Sequence, residues 1–141
     1  MTHVSFHYGA RDRIQAIIDW LSTAHDRSHR VIIYAPDEQL VERLDRMLWT
    51  VSATGFLPHC LANNPLAAET PIVIARDLVQ PQHDECLLNA SDEVPPDFDR
   101  FAELVEIISV DDRDRMPGRE RFRFYREGGY PMDNRDISGG I

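Results

Sequence analysis

Residues 30–49 read RVIIYAPDEQLVERLDRMLW, and this stretch decides the fold. After Arg30 comes a run of β-branched and apolar residues with no polar alternation. That is the pattern of a strand covered on both faces. Pro36 ends it, and Asp37 offers the side-chain acceptor that caps a helix. Leu40, Val41, Leu44, Met47 and Leu48 then recur at helical spacing, in one apolar stripe that ends near Trp49. A buried strand followed by an amphipathic helix is half of a parallel-sheet unit.

Working outward, residues 4–8 (VSFHY) read as a short first strand that Gly9 breaks. Ile14, Ile17, Ile18 and Leu21 mark a helix over residues 11–24, with Trp20 and Ala24 widening its stripe. It is long enough for a right-handed crossover. Residues 25–29 are a polar loop. Downstream, residues 56–60 (FLPHC), 71–75 (PIVIA), 86–89 (CLLN) and 104–110 (LVEIISV) read as strands. Pro95-Pro96 opens a short helix through Phe101. A last helix is predicted over residues 117–127, with Pro117 in its first turn and Gly128 as its stop. Residues 131–141 read as a polar, mobile tail. The expectation is one α/β domain over residues 1–130, built on a mostly parallel central sheet, followed by that tail.

The chain has 141 residues, enough for one domain. No apolar run approaches the roughly 20 residues of a membrane helix. Residues 1–13 lack the pattern of a signal peptide. Two cysteines, Cys60 and Cys86, make no disulfide framework. These features lead us to expect a cytoplasmic protein with no membrane contact. The net charge is −9, and every basic residue is Arg. Phosphates repel so acidic a body, which argues against direct coating of nucleic acid. The absence of Lys removes phosphate-loop and Schiff-base chemistry. The basic charge is concentrated: six Arg face only Asp114 and Glu120 between Arg113 and Arg126, which leaves the rest of the chain at −13. A small cationic patch on an anionic body suits a small acidic partner.

The motifs of nucleotide and acyl chemistry are missing. The turn after the first strand, HYGARDR, has one glycine where a dinucleotide fingerprint needs three. The turn after the second, APDEQ, puts acid where a phosphate would sit. There is no nucleophile elbow. His59-Cys60 are adjacent and point to opposite faces of an extended segment, and His25 and His29 lie in a polar stretch, so neither metal nor cofactor is expected. Acidic pairs such as Asp37-Glu38 and Asp111-Asp112 read as helix starts or solvated surface.

Two constellations remain. In residues 118–130, GRERFRFYREGGY, the residues Arg119, Phe122, Arg123 and Arg126 share one helical face. Phe124 and Tyr125 then point toward the core, with Arg121 at the margin. An aromatic among guanidinium groups suits an acidic peptide with an apolar side chain or a terminal carboxylate. The plainer alternative is a solvated helix whose Phe122 is core. The second constellation is Leu48-Trp49 with Phe56-Leu57-Pro58-His59. Read alone it is core packing; as a surface it would anchor a partner.

The combination D-E-x(5)-L-D-x-x-L-W and, seven residues after its Trp, F-x-P-H is carried by Asp37, Glu38, Leu44, Asp45, Leu48, Trp49, Phe56, Pro58 and His59. With R-E-R-[FY]-[RK]-x-Y-R over residues 119–126, it resembles the chi subunit of the bacterial DNA polymerase III holoenzyme, along residues 4–130. The resemblance implies a single Rossmann-like three-layer domain without nucleotide chemistry or catalysis. It implies two partners: the psi subunit of the clamp loader, and the acidic C-terminal tail of single-stranded-DNA-binding protein, through which nucleic acid is reached only indirectly. Carried over by residue, the tail falls on Arg115, Arg119, Phe122 and Arg123, beside Arg126 of the face read above. The psi surface, shared in some members with a helicase, falls on Trp49 and Phe56. Phe122 stands where the family pattern leads us to expect Tyr, and Pro117-Gly118 interrupts an expected continuous helix, which would place Arg115 before it. The rival reading is a small α/β enzyme that binds a phosphorylated small molecule where the strands end.

Overall fold

Seven strands share one sheet in the order β3-β4-β2-β5-β6-β1-β7, in a computed structural model that describes residues 1–50 and 57–139. The strands are β1 (His3–Ala10), β2 (Val31–Tyr34), β3 (His59–Leu61), β4 (Ile72–Ala75), β5 (Cys86–Asn89), β6 (Glu103–Ser109) and β7 (Met132–Asp136). Every pairing between them is parallel. Three helices cover the sheet: α1 (Arg13–Asp26), α2 (Glu38–Trp49) and α3 (Asp112–Glu127). The domain is a three-layer, Rossmann-like α/β fold.

The alternation of each strand assigns its residues to two cores. Val31 and Ile33 of β2, with Val105 and Ile107 of β6, pack under α1 and α2 against Ile17, Leu21, Leu44 and Leu48. Ile32 and Tyr34, with Leu104, pack under α3 against Tyr125, Phe98 and Phe101. β2, buried at all four positions, is the strand that the run RVIIY predicts. Asp12 and Asp37 accept from Gln15 N and Gln39 N and cap α1 and α2.

Four expectations change. Gly9 does not end β1. It adopts φ +85° inside a bulge that shifts the register between His7 and Ala10. The extra residue reverses the alternation, so Phe6 faces α3 while Ala10 joins the core under α1. The short helix expected after Pro95-Pro96 is only a 3-10 turn, Phe98–Arg100. α3 begins at Asp112, five residues before the predicted start, capped by Asp111, which accepts from Arg113 N at 2.9 Å. Pro117 therefore lies inside the helix. Finally, the segment read as a tail contributes β7, paired with β1 from Val4–Met132 to Tyr8–Asp136. Its sequence MDNRD shows no strand pattern, because an edge strand is recruited through its backbone and tolerates polar side chains.

Candidate functional site

α3 has two chemically distinct faces. The inward one is anchored by charge in the core. Glu106, fully buried in β6, accepts through one carboxylate oxygen from Arg121 Nε (3.0 Å), the Tyr125 hydroxyl (2.6 Å) and Asn89 Nδ2 (2.9 Å). Arg121 is 2% exposed, and its Nη1 also donates to the Asp92 carbonyl. So Arg121 is a core residue, not a marginal one. Burial, reinforced by the Glu106 carboxylate, pushes the Tyr125 phenol well above its ordinary pKa. Phe124, read as core, is 52% exposed and lies edge-on to Phe98 at the flank of this face. Gly118 marks the closest approach of α3 to the sheet: a Cβ there would lie 2.6 Å from Ile108 Cγ2. Gly118 thus serves helix–sheet contact, and Pro117 lies within the helix rather than at its start.

The other face opens on a cleft of about 490 Å³. Arg115, Arg119 and Phe122 of α3 form one wall. Phe6, Tyr8 and Gly9 of β1, Ile108, Ser109 and Val110 at the end of β6, and Asn134 of β7 form the rest. Phe122 is held there by two neighbours. The Phe6 ring meets it edge-on at 5.2 Å, and the Arg126 guanidinium lies 5.6 Å from its centroid. The helix is unbroken from Asp112, so Arg115 stands one turn before Arg119 on the same wall. Arg123 does not line the cleft; it points to solvent beside Glu120, 3.7 Å away. The structure therefore gathers Arg115, Arg119, Phe122 and Arg126 and leaves Arg123 at the rim. An apolar floor under guanidinium groups can take an apolar side chain that carries a carboxylate.

The second constellation lies on the opposite layer. Trp49, at the end of α2, is 53% exposed, so it is surface rather than core. Its ring meets His59 edge-on at 5.2 Å. His59 is in turn fixed at both ring nitrogens: Nε2 lies 2.8 Å from Asp45 Oδ1 and Nδ1 lies 2.7 Å from the Leu57 carbonyl. Asp45, Trp49 and His59 of the long motif thus act as one unit that props the indole. Phe56 lies outside the described residues.

The crevice at the C-terminal ends of the strands has a different character. It encloses about 690 Å³ and is lined by Asp12, Asp37, Asp92, Glu93, Asp111 and Asp114, with Arg11, Arg13 and Arg43. Arg13 plugs its floor. Nε donates to the Ile107 carbonyl, and Nη2 donates to the carbonyls of Asn89 and Ser91. Burial and the nearby Arg121 charge lower the Arg13 pKa, against the pull of Glu106, Asp114 and Asp92. Among the described residues no group of three or more His, Cys, Asp or Glu is placed to hold a metal ion. Cys86 is buried, and burial holds its thiol well above the ordinary range. Among the described residues no helix is long and apolar enough to cross a membrane.

Sequence reasoning missed the wall opposite α3. The alternation of VSFHY puts Phe6 and Tyr8 on one face, but nothing in the sequence says that α3 lies across from it. It also missed the Glu106 anchor, although a lone acid inside LVEIISV was a readable signal.

The fold and site define an all-parallel α/β domain with a plugged crevice at its strand ends and a cationic apolar cleft on its last helix. The family model described as "DNA polymerase III chi subunit, HolC" matches residues 1–133, and the chain belongs to that family. The chain is 30% identical to the DNA polymerase III subunit chi of Pseudomonas aeruginosa, over 86% of its own length and 84% of the relative's. It is 30% identical to that of Escherichia coli strain K12, over 74% and 71% of the two chains. With the Haemophilus influenzae subunit it shares 26% identity, over 77% and 76%.

Proposed function

We propose that the chain is a non-catalytic adaptor of DNA polymerase III. Its α3 cleft takes the acidic C-terminal tail of single-stranded-DNA-binding protein, and its surface at Trp49 takes the psi subunit of the clamp loader or a helicase. One observation carries the first half: α3 and β1 bring Arg115, Arg119 and Phe122 together around an apolar cleft on a chain of net charge −9. Arg119 and Arg115 hold the terminal carboxylate and the acids before it, and the last apolar side chain packs on Phe122. Each charge-assisted hydrogen bond contributes about 1.5–3 kcal/mol, offset by ordering the tail. The net is about 7–8 kcal/mol, a low-micromolar affinity. Phe122 in place of Tyr keeps the aromatic floor and removes a hydroxyl donor. The test is anisotropy of a labelled acidic tail peptide. It binds wild type with a micromolar Kd, weakens with salt and loses binding when its last residue is removed. An Arg119→Ala protein that binds it as well as wild type refutes the assignment.

The exposed Trp49 ring, propped by His59 and Asp45, supports the second surface. The enzyme reading is opposed by the crevice itself, where six carboxylates surround the place a phosphate would occupy and an internal guanidinium already caps the strand ends. A thermal-shift screen with phosphorylated small molecules separates the two, since a ligand at 100 times its Kd stabilises by about 2.7 kcal/mol.

A further inference from the structure

A further hollow lies on the α1 side of the sheet, between the end of α1 and the strands β1 and β7. We infer that it is a site for a small tetrahedral oxyanion, of phosphate or sulfate size, held by His7, Arg135 and Arg27. Strand alternation separates it from the α3 cleft: Phe6 and Tyr8 line that cleft, while Ser5 and His7 line this hollow. The site is therefore independent of the tail reading.

The first observation is His7. It is 8% exposed, yet among the described residues its ring makes no hydrogen bond and no ion pair. A buried polar ring without a partner is costly unless something fills the place opposite it. The ring lines a hollow of about 200 Å³. That is below the roughly 300 Å³ where sites for drug-sized molecules begin, and it admits an ion of a few atoms.

The second observation is the charge around the ring. Arg135 is the register partner of His7 on the neighbouring strand, which sets the two backbones about 4.8 Å apart. Arg27 lines the same hollow from the end of α1. Among the described residues neither guanidinium takes part in a side-chain hydrogen bond or ion pair. The two acids of the hollow are engaged elsewhere. Glu103 accepts from Ser5 Oγ (3.4 Å) and Cys86 Sγ (3.5 Å), and Asp133 lies 3.2 Å from His3 Nε2. His29 completes the titratable groups that line it. The carbonyls at the end of α1 would repel an anion, but they already accept from the backbone N–H groups of Arg27, Ser28 and His29. Two unpaired guanidinium forks beside an imidazole donor fit an oxyanion. Such an ion would also tie β7, through Arg135, to the end of α1. The chain's charge of −9 disfavours a polyanion, so the occupant is the free ion and not a nucleic-acid backbone.

The test titrates the full chain, in phosphate-free buffer at fixed ionic strength, with inorganic phosphate, with sulfate and with a short single-stranded oligonucleotide. The readout is the His7 ring resonance, assigned by its loss in His7→Gln. We expect phosphate and sulfate to saturate it with a Kd of about 1 mM. Burial, and then Arg135, hold the His7 pKa below its ordinary value against the pull of Glu103, and saturating sulfate should raise it. Arg135→Gln and Arg27→Gln, both at exposed side chains, should each weaken binding about fivefold. The proposal is overturned if neither ion moves the His7 ring, if both variants respond as wild type does, or if only the oligonucleotide moves it.

Discussion

Two hollows meet at Ser109, which lines both, and they differ in almost every chemical respect. The larger, about 690 Å³, lies where parallel α/β folds bind their ligands, at the C-terminal ends of the strands. It is ringed by acid and stoppered by Arg13. The smaller, about 490 Å³, lies between a helix and a sheet edge, where the fold predicts nothing. It has an apolar floor and two arginines on its wall. The difference shows that topology offers a site and side chains decide whether it is used. Here a guanidinium satisfies the strand-end carbonyls from within, and in the proposed reading recognition falls to α3. The Glu106–Arg121–Tyr125 cluster holds that helix in place between the two hollows.

The most severe way to break the contrast is to cut that anchor. Arg121→Ala leaves the Glu106 carboxylate buried without its ion partner, and stability should fall by about 3–5 kcal/mol. Thermal unfolding should show a Tm lower by about 10 °C or more. The double change Glu106→Gln with Arg121→Met should recover part of the loss, because it removes the buried carboxylate and keeps an amide oxygen to accept from Tyr125 and Asn89. Removing the stopper comes next. Arg13→Met uncaps the carbonyls of Ile107, Asn89 and Ser91, with an expected loss of about 2–3 kcal/mol in urea unfolding. Tail affinity should stay within about twofold of wild type if, as proposed, the tail binds the α3 cleft and not the crevice.

Arg119→Ala sharpens the contrast from the other side. It should weaken tail binding about tenfold in anisotropy titrations while changing stability by no more than about 0.5 kcal/mol. The smallest effects are those of pH. The Tyr125 and Tyr34 phenols are held above their ordinary range, first by burial and then by neighbouring carboxylates. A raised pKa stabilises the fold below the unfolded value, so this contribution is complete at neutral pH and is lost as pH rises above about 10. The buried His7 and His83 are shifted the other way, chiefly by burial and next by Arg135 and Arg30. Their contribution is present above about pH 6.5 and is lost as pH falls below it. Urea midpoints measured from pH 5 to 11 should decline at both ends, and His7→Gln should flatten the acid side.

The sequence made legible what short-range pattern controls. β2, β4 and β5 announce themselves as apolar runs, and the stripes of Ile14–Leu21 and Leu40–Leu48 announce α1 and α2. The helix bearing Arg119 and Phe122 was legible too, as was its mixed cationic and aromatic face. Features set by neighbours were not. β7 is a strand only because β1 offers it an edge. Pro117 sits within a helix because Asp111 caps the chain six residues earlier. Arg121 reads as one more surface arginine until Glu106 is seen across from it. Tyr8 reaches the cleft through topology alone, from a strand distant in sequence from α3.

The most direct test of the central claim is to map a bound acidic tail peptide by backbone amide shifts of the full chain. With the tail in the α3 cleft, the largest changes cluster at Phe6, Tyr8, Val110, Arg115, Arg119 and Phe122, and Asp37, Ser91 and Asp92 in the crevice stay still. Shifts concentrated at the crevice, with the α3 cleft unmoved, would contradict it.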